Sequence, residues 1–299
     1  MIVEKLSKNM GLLTMKEIEY SIAKEMIVKN HYSKKWNTSF GKINIGIFKD
    51  DRLLGVAVFG NLMNPNSHKA ISNLGKDSVI ELNRLWIDDE LGHNTETILL
   101  GACWKIIKND YPNIKFVQSF ADGRLGCGTI YKAANFKYYG YTESLFFEDI
   151  KTGEVFHKVP LENTKRPLGF LGKNILLYLD KNLKSFKVKT YKYIYPLYKK
   201  VSPKLKEEEY PKYDKGTIEY QHKHSGSILA RLAVMYNEID EKDYMKKCVN
   251  EMRNLGLEKN DIQALVDEQK ENNSVKWFKN EYLTNNKEKI KNEIAKFKY

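Results

Sequence analysis

The chain has 299 residues with 42% hydrophobic and 12% aromatic content, enough for one medium domain with an appendage or for two small domains. It contains no apolar run of about 18 residues and so no bilayer-spanning helix. The start Met1-Ile2-Val3-Glu4-Lys5-Leu6 lacks signal-peptide character, and Cys103, Cys127 and Cys248 are widely spaced without a C-x-x-C pair. Together these favour a cytoplasmic protein with neither a disulfide framework nor a thiolate zinc site.

The first helix is expected from Thr14, with Glu17 at capping-box distance, through Lys29, carrying Ile18, Ile22, Met26 and Ile27 on one face. It delivers His31-Tyr32-Ser33 to a turn. Ile43–Phe48 and Leu53–Phe59, joined by Lys49-Asp50-Asp51-Arg52, read as a hairpin, and a polar loop around Asn64-Pro65 follows. Val79–Ile87 reads as a strand leading through Asp88–Thr97 into a helix with Leu99, Ala102, Cys103 and Ile106, which stops near Asp110-Tyr111-Pro112. Ile114–Phe120 is the next strand, and it runs into Ala121-Asp122-Gly123-Arg124-Leu125-Gly126-Cys127-Gly128. A short helix at 129–135, a hairpin turning at Lys151-Thr152-Gly153, and an alternating Tyr/Lys strand over Tyr191–Tyr198 complete an α/β (α+β) pattern. Ile175–Leu179 is an apolar patch. Helices take over from about residue 216, with Met245, Cys248, Val249 and Met252 at helical spacing before Gly256, then residues 261–270 and Val275 to the end.

The net charge of +12 is localised. Residues 1–160 carry +3, 161–215 carry +8 and 216–299 carry +1, and the span 165–206 holds twelve Lys/Arg against the single Asp180. Such a field points to a polyanion, nucleic acid first. Lys184, Lys187, Lys189, Lys192, Lys199 and Lys200 supply phosphate contacts and Tyr193 a stacking face; a solvated edge strand is the competing reading.

Asp122 ends a strand before a glycine-rich loop, placed either to point into a cleft or to cap its own turn. His31 and Tyr32 end a helix, as a shared pocket or as a cap with a packed ring. Tyr131 and Asn135 lie four apart on the short helix. Gly92, Asn94 and Thr95 precede or open the helix near residue 95, where Asn94 or Thr95 would cap it and free N–H groups could hold a pyrophosphate. This loop carries Asp88, Asp89 and Glu90 and no P-loop or G-x-G-x-x-G pattern. Cys127 reads as an inert small residue.

Taken in order, His31-Tyr32-Ser33, the run Glu81–Asp89, Asn94-Thr95-Glu96, Ser119-Phe120-Ala121-Asp122, Gly128–Phe136 with Tyr139-Gly140, Tyr191–Leu197 and Tyr210-Pro211-Lys212 resemble the phage Mom family of adenine-modification proteins, a branch of the GNAT acyltransferase fold. The resemblance spans about residues 10–213. It implies a GNAT-like mixed central sheet, splayed at its middle and flanked by helices. Residues 1–160 would form the catalytic core, 161–215 its basic completion in contact with DNA, and 216–299 a helical extension.

The activity implied is conversion of adenine in double-stranded DNA to its N6-carbamoylmethyl form, which shields phage DNA from restriction. His31, Tyr32, Ser119, Asp122 and Tyr131 are the implied catalytic positions, with Asp122 or His31 as general base. The donor is a small molecule, acetyl-CoA or a related acyl-CoA being implied at 92–98. Iron is linked to some members, with His31, Tyr32 and Asp122 as its candidate ligands here; a homodimer is left open. Gly126-Cys127 stands where the family has a Gly-His pair, Lys132 replaces a Gln, and the acyl-CoA signature Arg/Gln-x-x-Gly-x-Gly/Ala is absent. Two other classes compete: an acyltransferase acting on a protein or small molecule, which needs no Tyr/Lys stripe, and a non-enzymatic DNA-binding protein, which needs no His31, Asp122, Tyr131 set.

Overall fold

The computed structural model describes residues 1–7, 10–157, 167, 171, 183–213, 219–220 and 223–295. The apolar patch Ile175–Leu179, with Tyr178, lies outside the described residues. The chain divides into two compact units, residues 1–142 with 189–216, and residues 143–188 with 217–299.

The first unit opens with a hairpin that the periodicity of the sequence did not suggest. Strands β1 (Ile2–Ser7) and β2 (Gly11–Glu17) pair from Ile2 opposite Lys16 to Ser7 opposite Gly11. Thr14 and Glu17 are therefore strand residues, opposite Phe48 and Ile45 of the next strand, and not a capping box. The alternation Leu13, Met15 wins because both side chains are fully buried in the core. Helix α1 (Tyr20–Asn30) starts six residues later than expected, with Glu19 at its N-cap, and buries Ala23 and Ile27. It ends at His31, whose backbone N–H donates to the Ile27 carbonyl.

Strands β3 (Ile43–Lys49) and β4 (Arg52–Gly60) form the expected hairpin, with Asp50 and Asp51 both at positive φ (48° and 59°), the two-residue turn that suits strand twist. A short helix α2 (His68–Ile71) leads to β5 (Val79–Ile87), which pairs antiparallel with β4, then crosses through helix α3 (Thr95–Asp110) to β6 (Phe116–Asp122). This crossover makes β5 and β6 parallel. Helix α4 (Thr129–Ala133), β7 (Lys137–Asp149) and β9 (Leu183–Pro196) follow, with β8 (Val155–His157) between the last two in the chain. The strand order of the first unit is β1-β2-β3-β4-β5-β6-β9-β7. A mixed α/β sheet flanked by helices is thus what the chain builds.

Its core lies on the α3 face. Leu99, Cys103, Ile106 and Ile107 of α3 pack on Leu13, Ile45, Phe59, Leu82 and Val117 of the sheet. Trp104 stacks on Tyr195 with ring centres 4.6 Å apart. The opposite face is closed by α1 through Ala23 and Ile27 against Val56 and Val58.

Strand β9 is interior. It pairs antiparallel with β6 from Phe116 opposite Pro196 to Asp122 opposite Thr190. The edge-strand reading of the Tyr/Lys segment is corrected: its alternation puts Tyr191 and Tyr193 in the core, while Ile194 packs on the other face with Leu62, Ile71 and Phe116.

The second unit carries the end of β7 paired with β8, the start of β9 paired with β10 (Glu219–Tyr220), and helices α5 (Lys223–Glu238), α6 (Lys242–Asn254), α7 (Lys259–Lys270), α8 (Asn273–Trp277) and α9 (Lys287–Ala295). Ile228, Leu229, Leu232, Met235 and Tyr236 of α5 are buried against Cys248, Met252, Ile262 and Phe278. The expected helical character and the stop before Gly256 are both present, Gly256 taking φ +82° after α6.

Gly60, at the end of β4, marks the closest backbone approach. A Cβ there would lie 2.2 Å from the Ser39 carbonyl oxygen and 2.5 Å from Asn83 Oδ1. Gly60→Ala is therefore expected to cost about 1–3 kcal/mol by overpacking, read as a lower urea midpoint by tryptophan fluorescence; an unchanged midpoint would mean that the 36–42 loop does not pack on β4 as described.

Candidate functional site

The site grows from an interruption in the sheet. Parallel pairing of β5 and β6 covers only Val79, Ile80 and Glu81 opposite Phe116, Val117 and Gln118, although β5 continues to Ile87 and β6 to Asp122. The expected splay is present, and its first rung is made by a side chain. The Ser119 hydroxyl lies 3.0 Å from the Leu82 carbonyl oxygen and 3.0 Å from the Tyr131 hydroxyl, which is itself 3.3 Å from the Phe120 carbonyl. With one proton on each hydroxyl, either Ser119 donates to Leu82 and Tyr131 to Ser119, or Ser119 donates to Tyr131 and Tyr131 to the Phe120 carbonyl.

Tyr131 is brought there by α4, whose start requires Gly128 at φ +89°; a Cβ at Gly128 would meet Tyr193, Ala121 and Tyr131 within 3 Å. Burial pushes the Tyr131 phenol up to about 12, so it serves as a neutral hydrogen-bonding group and not as a base. Asn135, expected on the same helical face, lies past the end of α4 at φ +61° and is exposed.

Below this opening sits a buried polar layer that sequence reasoning missed. The Glu81 carboxylate accepts from Met63 N–H (3.2 Å), Asn83 Nδ2 (3.1 Å) and Gln118 Nε2 (3.1 Å), and burial raises its pKa despite these bonds. Arg84 lies over the Phe40 ring at 4.6 Å, and its Nη1 donates to the Asn83 carbonyl at 2.7 Å while its Nε is buried without a partner among the described residues. Burial lowers the Arg84 pKa, opposed by the fields of Tyr32, Glu81 and Tyr131. Arg84 also acts electrostatically on His31, which makes it the common neighbour of the set. The signal was available: charged residues at 81 and 84 inside an apolar strand.

His31 is 6% exposed. Its Nδ1 accepts from Ser33 N–H at 3.1 Å and lies 2.9 Å from the Ser33 hydroxyl, an arrangement that assigns the ring proton to Nε2. Burial, then Arg84, pulls the imidazole pKa down to about 4, so His31 is neutral and presents a donor. Tyr32 packs on it with ring centres 4.2 Å apart. The residue is 61% exposed, and partial burial, and then the Asp122 charge, raises its pKa against the opposing pull of Arg84 and Arg124.

Asp122 does cap its own turn. Its Oδ1 accepts from Arg124 N–H at 3.0 Å, and the Arg124 guanidinium engages both carboxylate oxygens. The charges of the pair act on the Tyr32 phenol, Asp122 raising its pKa and Arg124 opposing it.

Among the described residues no group of three His, Cys, Asp or Glu converges to hold a metal. The donor set does not suit iron: Nδ1 of His31 is engaged by Ser33, and both Asp122 oxygens by Arg124. The described residues therefore lend the expected His31, Tyr32, Asp122 ligation no support.

At α3, Asn94 occupies the N-cap in left-handed conformation (φ 66°) with no side-chain cap bond. Thr95 is fully buried and turns its hydroxyl back to the carbonyls of Leu91 (2.7 Å) and Gly92 (3.1 Å), so neither residue caps the helix as expected. Gly92 has φ +65° and open space around it. Of the lysines expected to contact phosphates, Lys184, Lys189, Lys199 and Lys200 are exposed, Lys187 is half-buried and paired with Glu143 at 3.4 Å, and Lys192 is half-buried. Tyr193 is 1% exposed, its hydroxyl donating to the Cys127 carbonyl, and the stacking role expected for it is corrected to a core role.

The low pKa of His31 fixes the sign of a pH effect. Folded His31 binds its proton near pH 4 and the unfolded imidazole near 6.5, so its stabilising contribution is full above pH 6.5 and is lost as pH falls toward 4. Between pH 7 and pH 4.5 the wild type should lose about 2.5 kcal/mol more stability than a His31→Gln variant by urea unfolding. Equal losses would contradict the buried neutral imidazole.

Residues 12–212 match the model of the Mom protein family. The methylcarbamoylase Mom of Escherichia phage Mu is 33% identical over 211 residues, covering 67% of this chain and 84% of the phage protein. Among solved structures, an N-acetyltransferase from Staphylococcus aureus Mu50 aligns over 62% of this chain and 97% of its own at 10% identity and TM-score 0.32. The spermidine/spermine N-acetyltransferase SpeG from Vibrio cholerae aligns over 62% and 92% at 10% identity and TM-score 0.35. On the match across residues 12–212 and its phage Mu relative, the chain belongs to the Mom protein family.

Proposed function

We propose that the chain is a transferase that modifies the N6 amino group of adenine in double-stranded DNA to the N6-carbamoylmethyl form and so protects that DNA from restriction. The observation that carries this is the gathering of Ser119, Tyr131, His31, Tyr32 and the Asp122–Arg124 pair around Arg84 where β5 and β6 part, in a chain whose phage relative is named a methylcarbamoylase.

The chemistry follows from the substrate. The N6 lone pair is delocalised into the purine, so attack on carbon needs an oriented base and a proton acceptor. One N6–C bond forms, the bond from that carbon to its leaving group breaks, and one N6 proton is lost. Asp122 accepts that proton, exchanging part of its contact with Arg124 for the amino group. Neutral His31 and the Tyr32 and Tyr131 hydroxyls orient the substrate by hydrogen bonds. Arg84, whose Nε has no partner among the described residues, faces developing negative charge. N6 is inaccessible within the stack, so the adenine is flipped out.

Acyl transfer from an acyl-CoA thioester alone would give an N6-amide, so the carbamoylmethyl product requires a donor that carries a –CH2–C(=O)NH2 unit with a leaving group on its methylene; a donor with a CoA-like anionic part would be held at the start of α3. The uncapped first-turn N–H groups there and the open backbone at Gly92 are suited to an anion, and Glu90 in the adjoining loop is paired with Arg52 at 3.0 Å. Thr95 would contribute through its backbone only.

Host DNA from cells expressing the chain, digested to nucleosides, should contain a mass-shifted deoxyadenosine; its absence would refute the proposal. Asp122→Asn should reduce that product by about 100-fold or more with DNA affinity kept, and an undiminished yield would remove Asp122 from the chemistry. Replacing Lys189, Lys199 and Lys200 with Gln should weaken DNA binding and lower the slope of log K against log salt by up to about 0.9 for each phosphate no longer neutralised, whereas an unaltered slope would take these lysines off the interface.

A further inference from the structure

A cavity of about 720 Å³ in the first unit is lined by none of the proposed catalytic residues, although Met63, whose N–H donates to Glu81, is on its wall. It lies between the 37–42 loop, the 60–65 loop after β4, the start of β5 and the end of α3. Its apolar floor is Ile43, Leu62, Val79, Ile80 and Ile114. Asn37, Asn61, Lys42, Lys76 and Asp77 also line it.

The polar groups are available. Asn37 uses its Oδ1 to accept from Ser39 N–H (3.2 Å) and from the Thr38 hydroxyl (3.3 Å), which leaves its NH₂ group over. Lys42 and Lys76 are exposed, and neither has an ion-pair partner among the described residues. Gly60 on the cavity wall cannot accept a Cβ, so this wall stays as backbone.

An apolar floor of this size, amides at its rim and two unpaired cations are the complement of a flat heterocycle carrying a phosphate. A purely apolar ligand would leave both lysines unused, and an inorganic anion would leave the floor unused. We propose that this cavity binds one phosphorylated nucleoside, its base on the Ile43–Ile80 floor against Asn37 and Asn61 and its phosphate on Lys42 and Lys76. Two sources share that chemistry: a nucleotide of the substrate strand beside the target, which rests on the DNA-modifying reading, and a free nucleotide or the nucleotide part of a donor, which does not.

The test uses the full chain, 5′-dAMP as probe and a Lys42→Gln/Lys76→Gln variant, whose changes at exposed positions leave the core untouched. Chemical-shift mapping with dAMP should move the side-chain amides of Asn37 and Asn61, and the variant should bind dAMP at least about 10-fold more weakly, equivalent to roughly 1.4 kcal/mol of phosphate binding. If the variant also loses duplex affinity, the nucleotide comes from the strand; if duplex affinity is unchanged while dAMP binding falls, it is a free nucleotide. Shifts confined to residues outside the cavity, or equal dAMP affinity in both proteins, would overturn the proposal. Modified deoxyadenosine is scored separately, so failure of this cavity and failure of the DNA-modifying reading give different results.

Discussion

Parallel pairing of β5 and β6 stops after three residues, and the polar features of the site follow from that stop. Two strands that part leave backbone groups without ladder partners, and a buried carbonyl without a donor is costly. The chain meets this with the Ser119 and Tyr131 hydroxyls, which lie together and within reach of the Leu82 and Phe120 carbonyls. What repairs the sheet is thereby also a pair of buried hydroxyls at the base of an opening. Glu81 and Gln118, the last residues in register, support the same point from below by a carboxylate–amide bond of 3.1 Å.

Charge is divided between two tasks. Within the opening, burial suppresses ionisation: His31 is neutral, the Tyr32 and Tyr131 phenols are held protonated, and the Asp122 charge is matched by Arg124. The protein's excess of positive charge lies elsewhere in the sequence, concentrated between residues 161 and 215. Those lysines that are described on β9 and just beyond it are mostly exposed, while the tyrosines that alternate with them are core residues. The Tyr/Lys alternation is therefore the period-two signature of an interior strand with one apolar aromatic face, whose tyrosines belong to the core.

Much of this is legible in the sequence because it rests on local signals. Asp50-Asp51 between two apolar runs gives the β3–β4 hairpin, the nine-residue run Val79–Ile87 gives β5, and Gly128 before Thr129 marks the turn into α4. The ordered motifs alone group His31, Tyr32, Ser119, Asp122 and Tyr131. The misses share a cause: long-range pairing overrides local pattern. Thr14 and Glu17 carry the spacing of a capping box, but partners on both sides of β2 hold them extended. Tyr193 reads as an exposed ring until β6 and β7 are found on either side of β9. Arg84 and Glu81 lie inside a motif whose other residues draw the eye, since a buried ion in a strand acquires meaning only when its neighbours across the sheet are known.

The central claim is that a flipped adenine is held where β5 and β6 separate. Its most direct test is the fluorescence of a DNA duplex carrying 2-aminopurine in place of a modified adenine, titrated with the full chain. The account predicts a clear rise in emission as the base leaves the stack, retained by Asp122→Asn, which binds without reacting. Saturable binding with no change in emission would contradict it, leaving a protein that grips the duplex without extracting the base.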